Sequence, residues 1–188
     1  MAIKVYVDQA HNPVNPNAGA EGFGLREQDI VYKIGIELAD ILQNDPNFEV
    51  MLSRPTPETQ KGTSITSSLS SRVNEANAWG ADYFLSLHTN ASTIPEANGS
   101  EAYVYSAQSS AYTLAQYLLT GITDASGFRN KGVFVRPSLY VLRRTAMPAV
   151  LLELGYISNF YEANFMNDNP RLFAQGIYNG LRAYLGLS

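Results

Sequence analysis

Apolar and polar positions alternate along this chain with two periods, and the switches between them mark out its elements. Ile3 to Asp8 (IKVYVD) alternates at period two and reads as a strand. Residues 9–26 are broken by Gly, Pro and Asn and read as a loop, long enough for a compact domain to suggest function. Ile30, Ile34, Leu38, Ile41 and Leu42 recur at helical spacing and predict an amphipathic helix over Glu27–Gln43. Phe48 to Leu52 is a second strand, and the Pro-, Thr- and Ser-rich residues 53–68 read as a surface loop. Leu69 to Trp79 reads as a helix stopped by Gly80. Asp82 to His88 reads as a strand, Glu101 to Tyr105 as another after the turn Asn98-Gly99, and Ala111 to Ile122 as a helix. Leu139 to Leu142 and Ala149 to Leu154 are expected as strands, the second apolar enough to be buried on both faces. Asn169-Pro170 reads as the N-cap and first residue of a final helix, with Leu172, Phe173, Ile177, Leu181 and Leu185 on one side. This alternation predicts an α/β layer structure with a mostly parallel twisted central sheet flanked by helices. The stretch around residues 95–105 can add an antiparallel member. No repeat, low-complexity tract or linker divides the chain.

Composition narrows the function classes. At 188 residues a single domain is expected, large enough to bury a core without disulfides or a structural metal. Lys and Arg number 13 against 17 Asp and Glu, a net charge of −4, which argues against a nucleic-acid partner. The absence of Cys excludes thiolate zinc sites, iron–sulfur clusters and a Cys nucleophile. No stretch approaches the ~20 apolar residues of a membrane span. Met1-Ala2-Ile3-Lys4-Val5 reads as a strand and not as a signal peptide.

The remaining transition-metal ligand types are His and carboxylate, and the chain has only two His. His11 follows the first strand by a few residues and His88 closes the third, and in α/β sheets ligands gather at the carboxyl ends of strands. A catalytic zinc takes three protein ligands, and two His with a Glu is one such set. Glu27, at the expected start of a helix, is preferred over Glu21, which sits between Ala20 and Gly22. Glu153 lies in the otherwise apolar AVLLELGY, where an ionised carboxylate costs several kcal/mol unless paired or bound. It is the candidate general base. Two plainer readings stand beside these: Glu153 paired with Arg143 or Arg144, and Glu27 simply a favourable acid at a helix amino terminus.

Taken together, these segments resemble the zinc-dependent N-acetylmuramoyl-L-alanine amidases of the Amidase_3 type, a family that includes autolysins and endolysins. The resemblance covers nearly the whole chain. It rests on Asp8-Gln9-Ala10-His11, Gly24-Leu25-Arg26-Glu27, Arg72 through Ala76-Asn77, Ser86-Leu87-His88-Thr89-Asn90-Ala91, Gly99-Ser100-Glu101 and, most specifically, Leu139 to Asn159. It implies a phosphorylase/hydrolase-like fold, a catalytic domain over 1–188, and zinc held by His11, Glu27 and His88 with Glu153 catalytic. The implied reaction is hydrolysis of the amide between the lactyl group of N-acetylmuramic acid and L-Ala of the peptidoglycan stem. The implied place of action is the bacterial cell wall, and the expected state is a monomer. One departure stands out: the family has glycines around its first ligand, where this chain has Ala10-His11-Asn12-Pro13. Arg72 is read as a structural helix residue, and Asn90 either orients the site or caps the strand-end turn. Two rivals are a zinc peptidase acting within cell-wall peptides and a wall-binding module without turnover. The HExxH pattern of many zinc peptidases is absent, since His11 precedes Asn12 and His88 precedes Thr89.

Overall fold

The structure, a computed structural model, describes residues 2–187, so Met1 of the first expected strand lies outside the described residues. In chain order the elements are β1 (Ile3–Gln9), β2 (Glu21–Gly22), β3 (Leu25–Arg26), α1 (Glu27–Gln43), β4 (Phe48–Leu52), α2 (Ile65–Trp79) and β5 (Tyr83–Asn90). They continue with β6 (Ser100–Val104), α3 (Ser110–Ser126), β7 (Asn130–Val135), α4 (Tyr140–Arg144), β8 (Ala149–Tyr156), α5 (Phe160–Asp168) and α6 (Pro170–Leu185). Six strands form one sheet in the order β4-β1-β5-β8-β6-β7. β4, β1, β5 and β8 run parallel, β6 is antiparallel to β8, and β7 is parallel to β6. The mostly parallel α/β sheet and its antiparallel member are as expected.

The period-two pattern sorts side chains between two cores. Val5, Val7, Leu85, Leu87, Val150, Leu152 and Leu154 face the larger core with α1, α3, α5 and α6. Tyr6, Phe84, Ala149 and Leu151 face a smaller one with α2 and α4, where the Tyr6 and Phe84 rings stack at 5.3 Å. Continuing the alternation past Leu151 puts Glu153 on that second face, at the carboxyl end of the central strand. The reversal of β6 and β7 brings their amino ends to the same edge.

Several boundaries differ from expectation. Leu139–Leu142 is not a strand: Leu139 is the N-cap of α4, and its carbonyl accepts from Arg143 N–H. Both flanks of β8 are already taken by β5 and β6, so this apolar run packs as a helical turn over the smaller core. α2 starts at Ile65, within the stretch read as loop, because Ser64 and Ser67 form a reciprocal capping box. The edge strand β7 and the helix α5, capped by the Asn159 side chain, were not foreseen. Nor was the two-residue pairing of β2 with β3 inside the long loop. No helix among the described residues is long and apolar enough to cross a membrane.

Candidate functional site

His11, Glu27 and His88 converge, each from a different element. Their ligand atoms lie within 4.8 Å of one another. Glu27 is the first residue of α1, and its carboxylate is held from several sides: Oε1 accepts from Thr89 N–H (3.0 Å) and Oε2 from Ala20 N–H (3.0 Å). His88 Nδ1 lies 3.1 Å and His11 Nε2 3.2 Å from the same Oε1. Burial pushes the Glu27 carboxyl up, but hydrogen bonds and charge from the two His outweigh it, and its pKa lies well below the usual carboxylate range. The His side chains stay 19% and 20% exposed against 5% for Glu27, so the cluster opens on the imidazole side. Glu21 is exposed on β2 and takes no part. Two imidazoles and a carboxylate are a donor set that suits zinc.

His11 itself adopts a left-handed conformation, φ 65°. What holds it there is Arg72. This guanidinium is buried on α2 and donates to Asp8 Oδ1 (2.6 Å), Gln9 O (2.8 Å), Ser53 Oγ (3.1 Å), Asn12 Oδ1 (3.2 Å) and the carbonyl of His11. Asp8 also accepts from Ser86 Oγ at 2.7 Å. Asn12 is fully buried and donates to the carbonyls of Pro16 (2.7 Å) and Lys61 (2.9 Å). The departure from glycine after the first His thus replaces backbone freedom with a side-chain anchor. Close approach is instead provided by Gly19, where a Cβ would lie 2.8 Å from Glu27 Oε2 and 3.0 Å from His11 Cδ2. The long loop is therefore packed on the site, not merely draped beside it.

Glu153 pairs in register with His88 across the parallel β5–β8 ladder and with Glu101 across the antiparallel β6–β8 ladder. Its Oε2 is sealed from solvent and has no hydrogen-bond partner among the described residues. Burial, then the charges of Glu27 and Glu101, push its carboxyl pKa well above the ordinary value, with Lys131 opposing. Arg143 and Arg144 are exposed, so neither is the buried partner that the plainer reading required.

The neighbours of Glu153 were only partly legible. Glu101 accepts from Tyr103 OH (3.0 Å), Tyr156 OH (3.3 Å) and Asn90 Nδ2, and Lys131 Nζ lies 3.4 Å from its Oε2. The Asn90 amide thus bridges Glu101 and the turn that ends β5, where its Oδ1 accepts from Ala91 N–H at 2.8 Å. Glu162 joins the ends of β8 and β6 from below, accepting from Tyr156 N–H (2.8 Å) and Gly99 N–H (2.7 Å). An acid in a core strand, the signal that singled out Glu153, applies equally to Glu101. Lys131 gave no signal because its strand was not recognised.

A family profile described as N-acetylmuramoyl-L-alanine amidase matches residues 5–183. The chain is 33% identical over 190 residues to the N-acetylmuramoyl-L-alanine amidase CwlM of Bacillus licheniformis, covering 99% of this chain and 70% of that protein. It is 32% identical over 189 residues to the sporulation-specific N-acetylmuramoyl-L-alanine amidase of Bacillus subtilis (strain 168), covering 98% and 69%. Its fold superposes on the catalytic domain of the amidase CwlV from Bacillus (Paenibacillus) polymyxa var. colistinus with a TM-score of 0.86, at 29% identity and 99% coverage of both chains. With the family matched over nearly its whole length, the chain belongs to the N-acetylmuramoyl-L-alanine amidases, a family of cell-wall hydrolases.

Proposed function

We propose that this chain is a zinc-dependent amidase over residues 1–188, cleaving the bond between the lactyl group of N-acetylmuramic acid and L-Ala of the peptidoglycan stem. The observation that carries the reading is the convergence of His11, Glu27 and His88 beside a carboxyl, Glu153, with a buried, unpartnered oxygen. His11, Glu27 and His88 are the ligands, and the cell wall is the place of action. Bound zinc supplies Lewis-acid polarisation of the scissile carbonyl and eases deprotonation of water. The chain's own residues do the rest. Thr89 and Ala20 N–H fix the Glu27 carboxylate, whose Oε1 faces both imidazoles. Glu153 takes a proton from the attacking water and returns it to the alanine nitrogen as the C–N bond breaks. Its burial favours the protonated form, the form that donates to the leaving nitrogen.

End-group analysis of digested peptidoglycan tests the bond. The expected products are peptides with new amino-terminal L-Ala and glycan strands without new reducing ends, formed only before chelation. New amino termini inside the stem would instead mark a peptidase, and new reducing sugars a glycosidase. For the roles, Glu153→Gln is expected to keep zinc and fold while losing on the order of 10²-fold or more in kcat. Zinc loss in that variant would make Glu153 a ligand. His88→Ala is expected to lose zinc, read by elemental analysis.

A further inference from the structure

Next to the two imidazoles, on the face of the sheet covered by α2 and α4, lies a cavity of about 110 Å³. His11 and His88 form one side of it, and Leu69, Leu139, Val141 and Leu151 contribute an apolar wall. The charged groups that reach it are already matched, since Asp8 is bound by Arg72 and Ser86. Asn17 is likewise engaged, its amide donating to Ser68 Oγ at 3.0 Å. Among the lining residues Arg72 Nε and His11 Nδ1 are buried without a hydrogen-bond partner, but no carboxylate or amide is left unmatched and the wall is mainly apolar. What the cavity offers is apolar volume directly beside the proposed ligands. An aliphatic cavity of roughly 150 Å³ admits benzene, so this smaller one suits a compact alkyl branch.

We infer that this cavity is a specificity subsite for the small alkyl branch flanking the scissile amide, with Leu69 and Leu139 setting its size limit. The inference rests on the amidase reading above. The substrate offers two such branches of the same chemistry: the lactyl methyl on the carbonyl side and the alanine methyl on the nitrogen side. Leu139 fixes one rim because it is the N-cap of α4, and Leu69 fixes the other from α2. A side chain longer than the cavity would be pressed against these two and would lift the amide away from the imidazoles.

The test uses the zinc-loaded full chain and four synthetic muramoyl peptides: the native lactyl-L-Ala compound, a glycine-for-alanine analogue, a glycolyl-for-lactyl analogue and a leucine-for-alanine analogue. Deleting the methyl that occupies the cavity is expected to lower kcat/KM about 10-fold or more, the range for one methylene in an apolar pocket. Which deletion does so identifies the branch. Leu69→Trp, which fills the cavity, is expected to penalise the native compound more than the analogue lacking that methyl. If alanine is the branch, Leu139→Ala is expected to raise leucine-analogue turnover relative to native. Affinities measured with the Glu153→Gln protein should follow the same order. Native turnover with unchanged ratios across all analogues and both variants would overturn the subsite and leave the amidase reading intact. No cleavage of any analogue by the wild-type chain would overturn the amidase reading, and the subsite with it.

Discussion

Gly19 is the smallest residue of the site, and its lack of a side chain leaves room for Glu27 and His11. A methyl there meets Glu27 Oε2 at 2.8 Å and His11 Cδ2 at 3.0 Å, so two of the proposed ligands must shift to admit it. Gly19→Ala is expected to weaken zinc binding about 10- to 100-fold, the scale of losses from disturbing groups that orient ligands. Competition against a coloured chelator measures it, and unchanged affinity would show that the ligands tolerate the shift. Arg72 acts on the same loop through charge. Its side chain is 1% and that of Asp8 2% exposed, so removing one leaves the other buried and unmatched. Arg72→Met is expected to cost about 3–5 kcal/mol in a denaturant melt. Burial raises the Asp8 carboxyl, but the charge and hydrogen bond of Arg72 and the Ser86 hydroxyl outweigh it, and the folded pKa lies below the usual value. The stability this supplies is complete above about pH 4, the range of an ordinary aspartate, and is lost as pH falls through the folded value. Asp8→Asn should therefore flatten the acid limb of a stability–pH curve. His11, Glu27, His88 and Glu153 were legible because each is a chemically costly residue at a strand end or helix start. Gly19 and Asn12 were not, because their importance lies in how an irregular loop folds back on His11 and Glu27 and, for Asn12, reaches Lys61 and Arg72, which no periodic pattern encodes.

Among elements, the closest helix contact is between α3 and α6, where glycines let the backbones touch. A Cβ on Gly180 would lie 2.4 Å from the Tyr117 carbonyl and 2.7 Å from Leu118 Cα. Gly180→Ala adds helix propensity of up to about 1 kcal/mol. Overpacking of about 1–3 kcal/mol works against it. Because the clash is with backbone, a lower Tm is the expected outcome; an unchanged or higher Tm would mean the helices separate easily. Elements with a long or strict period were readable from the chain, as α1, α6 and β8 illustrate. Those that failed were short. Four apolar residues at Leu139–Leu142 fit a strand or a helical turn equally, and the choice was made by the occupied flanks of β8. β7 has Gly132 at φ 100° within six residues, which breaks its alternation.

For the whole molecule, metal binding at the proposed site would be linked to folding. A ligand that binds the folded chain alone stabilises it by about 4 kcal/mol at a free concentration 1,000-fold above Kd. Tm is thus expected to climb with added zinc in the wild-type chain and to stay flat in His88→Ala, as scanning calorimetry can record. The layer architecture followed from helix–strand alternation. Strand order did not, because adjacency in a sheet is decided by crossovers that the chain does not spell out locally. That order has a consequence for how the molecule comes into being. β8 is the last strand in the chain yet lies between β5 and β6. During synthesis, at about 5–20 residues per second, the β4-β1-β5 and β6-β7 halves emerge first as two pieces with nothing to join them. Each exposes an unpaired edge toward the gap that β8 will fill. The same insertion delivers Glu153, so a nascent chain carries the three proposed ligands but not the proposed base. Activity that depends on Glu153 as proposed would therefore begin only once β8 has closed the sheet.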